Sequence, residues 1–326
     1  MSRQVSLPGL AETLRTSDDF VICGHVSPDG DCLGSQFALA AALRAMGKRA
    51  TCLLANHDPI AYPFMQLPGM SEAVVAGDYH GEVGTFVTVD VPTAERMGRD
   101  AAALHAAAPC TATIDHHLSP GVFSDVSYVD PDCPANAMIV WELIGHLGVS
   151  PTPEMATCCY VGLMTDTGRF QYQNTTAEAF AFASEMIAAG ANPSELAKLV
   201  YQNRSRESLA IEQRLLSQCE FPEDGNFVLG YLLVKDFAET GASRSDTEDL
   251  IDVLRGVRGV RVACLLKEQE STVRASLRAK DDTDVAAIAQ RMGGGGHKAA
   301  AGFTFEGTIE QSLAMMRSVF DELGNA

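Results

Sequence analysis

Four short segments place titratable side chains where an apolar element gives way to a turn. The first, Gly24-His25-Val26-Ser27-Pro28-Asp29-Gly30-Asp31-Cys32-Leu33-Gly34-Ser35, sets one imidazole and two carboxylates on a Pro/Gly turn that can aim His25, Asp29 and Asp31 into one space. Imidazole with carboxylate suits Mn2+ or a related divalent ion better than a thiolate-seeking metal. The plainer reading of Pro-Asp-Gly-Asp is a solvated turn with a helix N-cap at Asp31. The second segment is TFVTVD, whose Asp90 is costly to bury unless it is paired or ligates a cation. The third is Ile114-Asp115-His116-His117, again at a strand end. Successive strand residues point to opposite sides, so the three are expected to divide their work: His116 ligates, Asp115 orients it, and His117 faces the substrate. The fourth, Gly162-Leu163-Met164-Thr165-Asp166-Thr167-Gly168-Arg169-Phe170, ends an apolar helix on Asp166. A carboxylate there meets the negative end of the helix dipole, a misfit that a cation would relieve.

His25, Asp29, Asp31, Asp90, His116 and Asp166 together offer two imidazoles and four carboxylates, the inventory for two divalent ions sharing one bridging carboxylate. A fifth segment, Arg291-Met292-Gly293-Gly294-Gly295-Gly296-His297-Lys298-Ala299-Ala300-Ala301-Gly302-Phe303, lies far along the chain. Its tetraglycine precedes a basic run of small residues, read as a helical start, so bare backbone N–H groups and a helix N-terminus are expected to receive an anion. A flexible linker would lack the flanking amphipathic helix and the strand-like GFTF.

The elements that must position these residues alternate in the first half. Apolar stretches FVICGH (20–25), ATCLLA (50–55), TFVTVDV (85–91) and ATIDHH (112–117) are separated by helical patterns, among them one from about Leu33 to Met46. That alternation predicts an α/β domain with a parallel sheet and helices on both faces, whose ligands gather at the carboxyl ends of the strands. From 134 to 190 the pattern is helical, and the polar helical stretch 201–217 falls in an interdomain connector. FVLGYLLV, VRVACLLKE and STVRASLRAK then predict a smaller α+β domain around a mixed or antiparallel sheet. The boundaries are 1–196, a helical connector 197–217, and 218–326.

The 326 residues carry a formal net charge of -18, and residues 1–196 hold 8 Lys+Arg against 22 Asp+Glu while the remainder holds 16 against 20. So acidic a chain is poorly equipped for a long polyanion, which is held through many Lys/Arg–phosphate contacts, unless cations supply the missing charge. The opening MSRQVSLPGLAETLRTSDDF lacks the basic start and apolar core of a signal peptide, and no stretch approaches the ~20 apolar residues of a membrane span. Nine cysteines without a CxxC argue against a disulfide framework or zinc knuckle. The expectation is a soluble, cytoplasmic protein that binds neither membranes nor long duplex nucleic acid.

HVSPDGDCLGS, TVD, IDHH, GLMTDTGRF and GGGGHKAAAGF, in this order, resemble the motifs of the DHH phosphoesterases with a C-terminal DHH-associated domain, of the nano-RNase (oligoribonuclease) and pAp phosphatase type. The resemblance covers essentially the whole chain. It implies a metal-dependent hydrolase with two Mn2+ ions, Mg2+ or Co2+ being substitutes, and an active site in the cleft between the domains. His25, Asp29 and Asp90 would hold one ion, and Asp31, Asp90, His116 and Asp166 the other, with Asp90 bridging. His117 would contact the scissile phosphate or assist proton transfer, alongside Asp90 and His116 as the catalytic group. Gly294, Gly295, Gly296 and His297 would bind substrate phosphate or ribose, joined by Arg278 and Arg169; Ala279 stands where the family commonly has Ser. The implied activity is hydrolysis of short oligoribonucleotides of two to five units to mononucleotides, and of pAp to AMP and phosphate. The alternatives are a phosphodiesterase for cyclic dinucleotides or linear pApA and pGpG, and a non-catalytic nucleotide sensor. The resemblance also implies a homodimer through the N-terminal domain. Substrate preference, polarity of degradation, physiological metal and oligomeric state are not fixed by these residues.

Overall fold

The computed structural model describes residues 3–117, 123–222 and 226–324, which fold as two units, Met1–Asn203 and Arg204–Ala326. The first is built on seven strands, β1 (Arg3–Gln4), β2 (Phe20–Cys23), β3 (Ala50–Leu54), β4 (Val74–Val75), β5 (Thr85–Val89), β6 (Cys110–Asp115) and β7 (Val126–Val129). All pair in parallel, in the order β1-β7-β6-β5-β2-β3-β4. The helices are α1 (Leu7–Thr16), α2 (Gly30–Ala45), α3 (Arg99–Ala107), α4 (Asn136–His146), α5 (Pro153–Asp166), α6 (Ala177–Ala188) and α7 (Pro193–Tyr201).

Both faces of this sheet are covered, which is why its central strands read as unbroken apolar runs rather than alternating ones. On one face Ile22, Val87, Val89 and Ile114 pack with α1, α2, α4 and α5; on the other Val21, Cys23 and Phe86 pack with Met97 and Ala101. Helix α2 is buried from Gly30 to Ala40 on every side, the pattern of a helix enclosed in a core. It lies between the sheet and helices α4 and α5. The chain runs from β2 outward to β3 and β4, then returns to place β5 on the other side of β2. The sheet's switch point, where such folds bind ligands beyond the strand ends, therefore lies between β2 and β5.

The second unit contains α8 (Arg206–Ser217), β8 (Phe227–Leu232), α9 (Val234–Thr240), α10 (Leu250–Arg255), β9 (Val262–Glu268), β10 (Thr272–Ala279), α11 (Val285–Arg291), β11 (Gly295–His297), β12 (Ala300–Glu306) and α12 (Ile309–Gly324). Its sheet runs β11-β12-β10-β9-β8 and is mixed: β8 and β9 are parallel and the other pairs antiparallel. Strand β10 alternates strictly, burying Val273, Ala275, Leu277 and Ala279 against the core that includes Ile288 and Met316, with Arg274, Ser276 and Arg278 on its other side. The stretch 197–217 is largely helical and is shared between the two units. Residues 197–201 complete α7, and α8 buries Ile211 and Leu215 in the second unit's core.

Candidate metal centre

His25 follows β2 by two residues, Asp90 directly follows β5, and Asp115 closes β6, so three neighbouring strands deliver their side chains to one edge of the sheet. Helix α2 brings Asp31 from its first turn, and α5 ends on Asp166. Asp90 adopts a left-handed backbone, φ 58°, uncommon for a non-glycine residue.

The two oxygens of Asp90 face two different groups. Oδ2 lies 3.4 Å from His25 Nε2, and Oδ1 lies 3.3 Å from His116 Nε2. His25 Nε2 is also 3.9 Å from Asp29 Oδ2, while His116 Nε2 is 3.6 Å from both Asp31 Oδ2 and Asp166 Oδ2. Both imidazoles turn their Nδ1 to a backbone carbonyl, His25 to Val26 at 2.8 Å and His116 to Cys133 at 3.0 Å. A carbonyl only accepts, so Nδ1 carries a proton and Nε2 is the nitrogen whose proton an ion would replace.

Asp31 is almost wholly buried and its carboxylate accepts from two backbone N–H groups of α4, Asn136 at 2.6 Å and Ala137 at 2.8 Å. Helix α4 has Ala135 at its N-cap, a residue with no acceptor, so Asp31 satisfies the helix end from 105 residues away. Asp29, not Asp31, is the N-cap of α2: its Oδ1 accepts from the N–H groups of Asp31 and Cys32, both at 3.0 Å, which leaves Oδ2 toward His25. The helix accordingly begins at Gly30, before the expected Leu33.

Crowding of like charges shows in the protonation balance. Burial, together with Asp90 and Asp166, pushes the Asp31 carboxyl well above its usual range, and burial raises Asp166 to about 6 although His116 opposes it. Burial disfavours a charged His25, yet hydrogen bonding to Asp90 and the charge of Asp29 hold it at about 9. His116 is likewise driven up, against burial, by Asp90, Asp166 and Asp31. Asp90 is held well below the carboxylate range, against burial, by His116 and His25. Protons here occupy the place that dications would take, and divalent binding would displace them. The donors fit such ions: Asp90 Oδ1 is buried without a hydrogen-bond partner among the described residues, as are both amide atoms of Asn136. Hard oxygen and imidazole donors in this number suit a divalent ion.

The Asp-His-His segment divides differently from expectation. Asp115 Oδ1 accepts from His117 Nδ1 at 2.9 Å, so Asp115 orients His117, and the Cys133 carbonyl orients His116. Cys32 is a donor that sequence reasoning passed over: its sulfur, a ring nitrogen of His25 and a carboxylate oxygen of Asp90 lie within 4.8 Å of one another. Arg169 lies in a left-handed run with Gly168 and Phe170, and its guanidinium is 4.0 Å from the Tyr201 ring centroid.

In the second unit the glycine segment forms a hairpin rather than the start of a helix: β11 pairs antiparallel with β12, Gly296 opposite Ala301 and His297 opposite Ala300. The small residues allow strands to approach closely. A Cβ on Gly294 would collide with the Gly302 carbonyl, and one on Gly296 would lie 2.5 Å from the Ala300 carbonyl oxygen. The segment opens no helix, so a helix N-terminus starting here does not serve an anion. Arg278 donates to the Leu277 carbonyl at 3.0 Å, and its Nε is buried without a hydrogen-bond partner among the described residues.

Comparison with known proteins gives two family matches: "DHH family, N-terminal domain" over residues 19–163, and "DHHA1 domain" over 224–323. A "bifunctional oligoribonuclease and PAP phosphatase NrnA" of Thermus thermophilus is 31% identical over 97% of this chain and 94% of its own length. The protein of that name from Bacillus subtilis is 24% identical over 90% of this chain and 91% of its own. Among solved structures, an exopolyphosphatase-related protein of Bacteroides fragilis superimposes with a TM-score of 0.88 at 26% identity, covering 97% of this chain and 95% of that one. No helix among the described residues is long and apolar enough to cross a membrane.

Proposed function

The chain belongs to the DHH family of phosphoesterases, and from that footing we propose that it is a two-manganese enzyme hydrolysing oligoribonucleotides of two to five units to mononucleotides and pAp to AMP and phosphate. The observation that carries the reading is Asp90, whose two oxygens face His25 at 3.4 Å and His116 at 3.3 Å, the disposition of a carboxylate shared by two ions. His25, Asp29 and Asp90 would hold the first ion, and Asp31, Asp90, His116 and Asp166 the second. Bound divalent ions supply Lewis acidity at the phosphoryl group and a nucleophile at neutral pH.

The chain's own residues contribute the rest. The α4 N-terminus fixes Asp31 and opposes its rotation, and the Val26 and Cys133 carbonyls fix the two imidazoles. His117, whose Nδ1 is held by Asp115, would contact a phosphoryl oxygen or pass a proton to the leaving oxygen, the division of roles in an Asp–His pair. By the family resemblance, Arg278, His297 and Gly294 to Gly296 of the second unit would contact substrate, the guanidinium being suited to a phosphate. The substrate class rests on the two relatives named for oligoribonuclease and PAP phosphatase activity, each matching nine-tenths or more of this chain. The test is hydrolysis with Mn2+ of pAp, pApA, pGpG, cyclic di-AMP, a five-nucleotide RNA and pyrophosphate. Turnover of pAp, linear dinucleotides and the short RNA is expected; exclusive turnover of cyclic di-AMP or pyrophosphate, or binding without turnover, would overturn the reading.

A further inference from the structure

The two proposed ion sites are not chemically alike. The second is lined by Asp31, Asp90, Asp166 and His116, all oxygen or imidazole donors. At the first, the Cys32 sulfur joins His25 and Asp90 within 4.8 Å, and all three residues are buried. Two features hold the thiol there. The Cys32 N–H donates to Asp29 Oδ1 at 3.0 Å, so the residue is tied to the cap that begins α2. Its sulfur also lies so close under Gly24 that a Cβ at that position would collide with it. The same pocket contains Asp90 Oδ2, 3.4 Å from His25 Nε2, the two groups proposed above to hold the first ion.

We propose that Cys32 is a ligand of the first ion, making that site the softer of the two and selective for a thiophilic dication such as Co2+ or Zn2+ when Mn2+ competes. The inference rests on the two-metal reading above. Ligation exchanges the S–H bond for a metal–sulfur bond and releases one proton to solvent, with no change of oxidation state. Thiolate favours Co2+ and Zn2+ over Mn2+, whereas carboxylate and imidazole discriminate less, so the chain would bind a mixed pair from a mixture. Two other thiols near the cluster's loops turn to carbonyls instead, Cys133 to Ala135 at 3.2 Å and Cys23 to Gly24 at 3.4 Å.

The test is Co2+ titration of the metal-stripped full chain, reading the near-ultraviolet sulfur-to-cobalt charge-transfer band alongside Co2+ stoichiometry by equilibrium dialysis. Wild-type protein is expected to show the band with its bound Co2+. Cys32→Ser is expected to lose it while still binding at the second site, and Cys133→Ser to retain it. Two bound Co2+ without the band in wild type would overturn the thiolate assignment alone, as would a band that survives Cys32→Ser. Failure of wild type to bind any Co2+ or Mn2+ would overturn the two-metal reading itself. Wild type suffices to refute the proposal, so a Cys32→Ser chain that failed to fold would not shelter it.

Discussion

Gly162→Ala probes how the fold positions the ions' ligands, because Gly162 lies one helical turn before Asp166 where α5 crosses Asp31 and α4. A Cβ at 162 would stand 2.6 Å from the Ala137 Cβ and 2.7 Å from Asp31 Oδ1. Carbon atoms rest at about 3.5–4.0 Å, so α5 must retreat by roughly 1 Å. Overpacking of that kind costs about 1–3 kcal/mol, offset by about 1 kcal/mol of better helix propensity. The net loss is about 0–2 kcal/mol, or at most ~8 °C in a unit of this size. Activity should suffer more, because a displacement of about 1 Å in a catalytic array costs on the order of a hundredfold. The assay pairs thermal unfolding with kcat/KM at saturating Mn2+. Gly145→Ala is the reference, since its Cβ meets nothing within 4 Å and it should gain stability by up to about 1 kcal/mol. Gly162→Ala as stable as Gly145→Ala, and within about twofold of wild-type kcat/KM, would refute the proposed coupling of helix packing to ligand placement.

Three further outcomes are expected. His117→Gln should lower kcat by about 10²–10⁴ while leaving Mn2+ binding unchanged, checked by steady-state kinetics beside metal titration. Arg278→Ala should raise KM for pAp about tenfold to a hundredfold with little change in kcat, as loss of a charge-assisted hydrogen bond made equally in ground and transition states would. His105 is buried, with Nε2 2.9 Å from Ser124 Oγ, and burial holds it below its ordinary 6.5. The unfolded chain therefore binds this proton more readily. The resulting loss of stability is absent above pH 6.5 and grows as pH falls below 6.5 toward the lower folded value. His105→Gln should flatten that part of the profile in denaturant unfolding.

The strand ends were legible because a parallel sheet concentrates polar residues at its carboxyl edge: His25, Asp90 and Asp115 each close an apolar run whose burial on both faces makes the break conspicuous. Asp166 was legible as a carboxylate at the wrong end of a helix. Contacts made across the chain were not legible. Nothing near Asp31 announces the α4 N–H groups, and Ala135 gives no capping signal at the other end. The adjacent histidines could each have claimed Asp115, and only the Cys133 carbonyl, 17 residues from His116, decides between them. Local propensity misled at Lys298-Ala299-Ala300-Ala301, where pairing of β12 with β10 overrides a helix-favouring run. Cys32 was missed because it follows two carboxylates inside a helix, where a cysteine ordinarily packs as a small apolar residue.

The most direct measurement is the Mn2+ content of the purified full chain after equilibrium dialysis, in wild type and in Asp90→Ala. Two ions per chain in wild type, and loss of tight binding at both positions in the variant, are expected of a shared carboxylate. A single ion in wild type, or two retained by a folded Asp90→Ala, would contradict a centre bridged by Asp90.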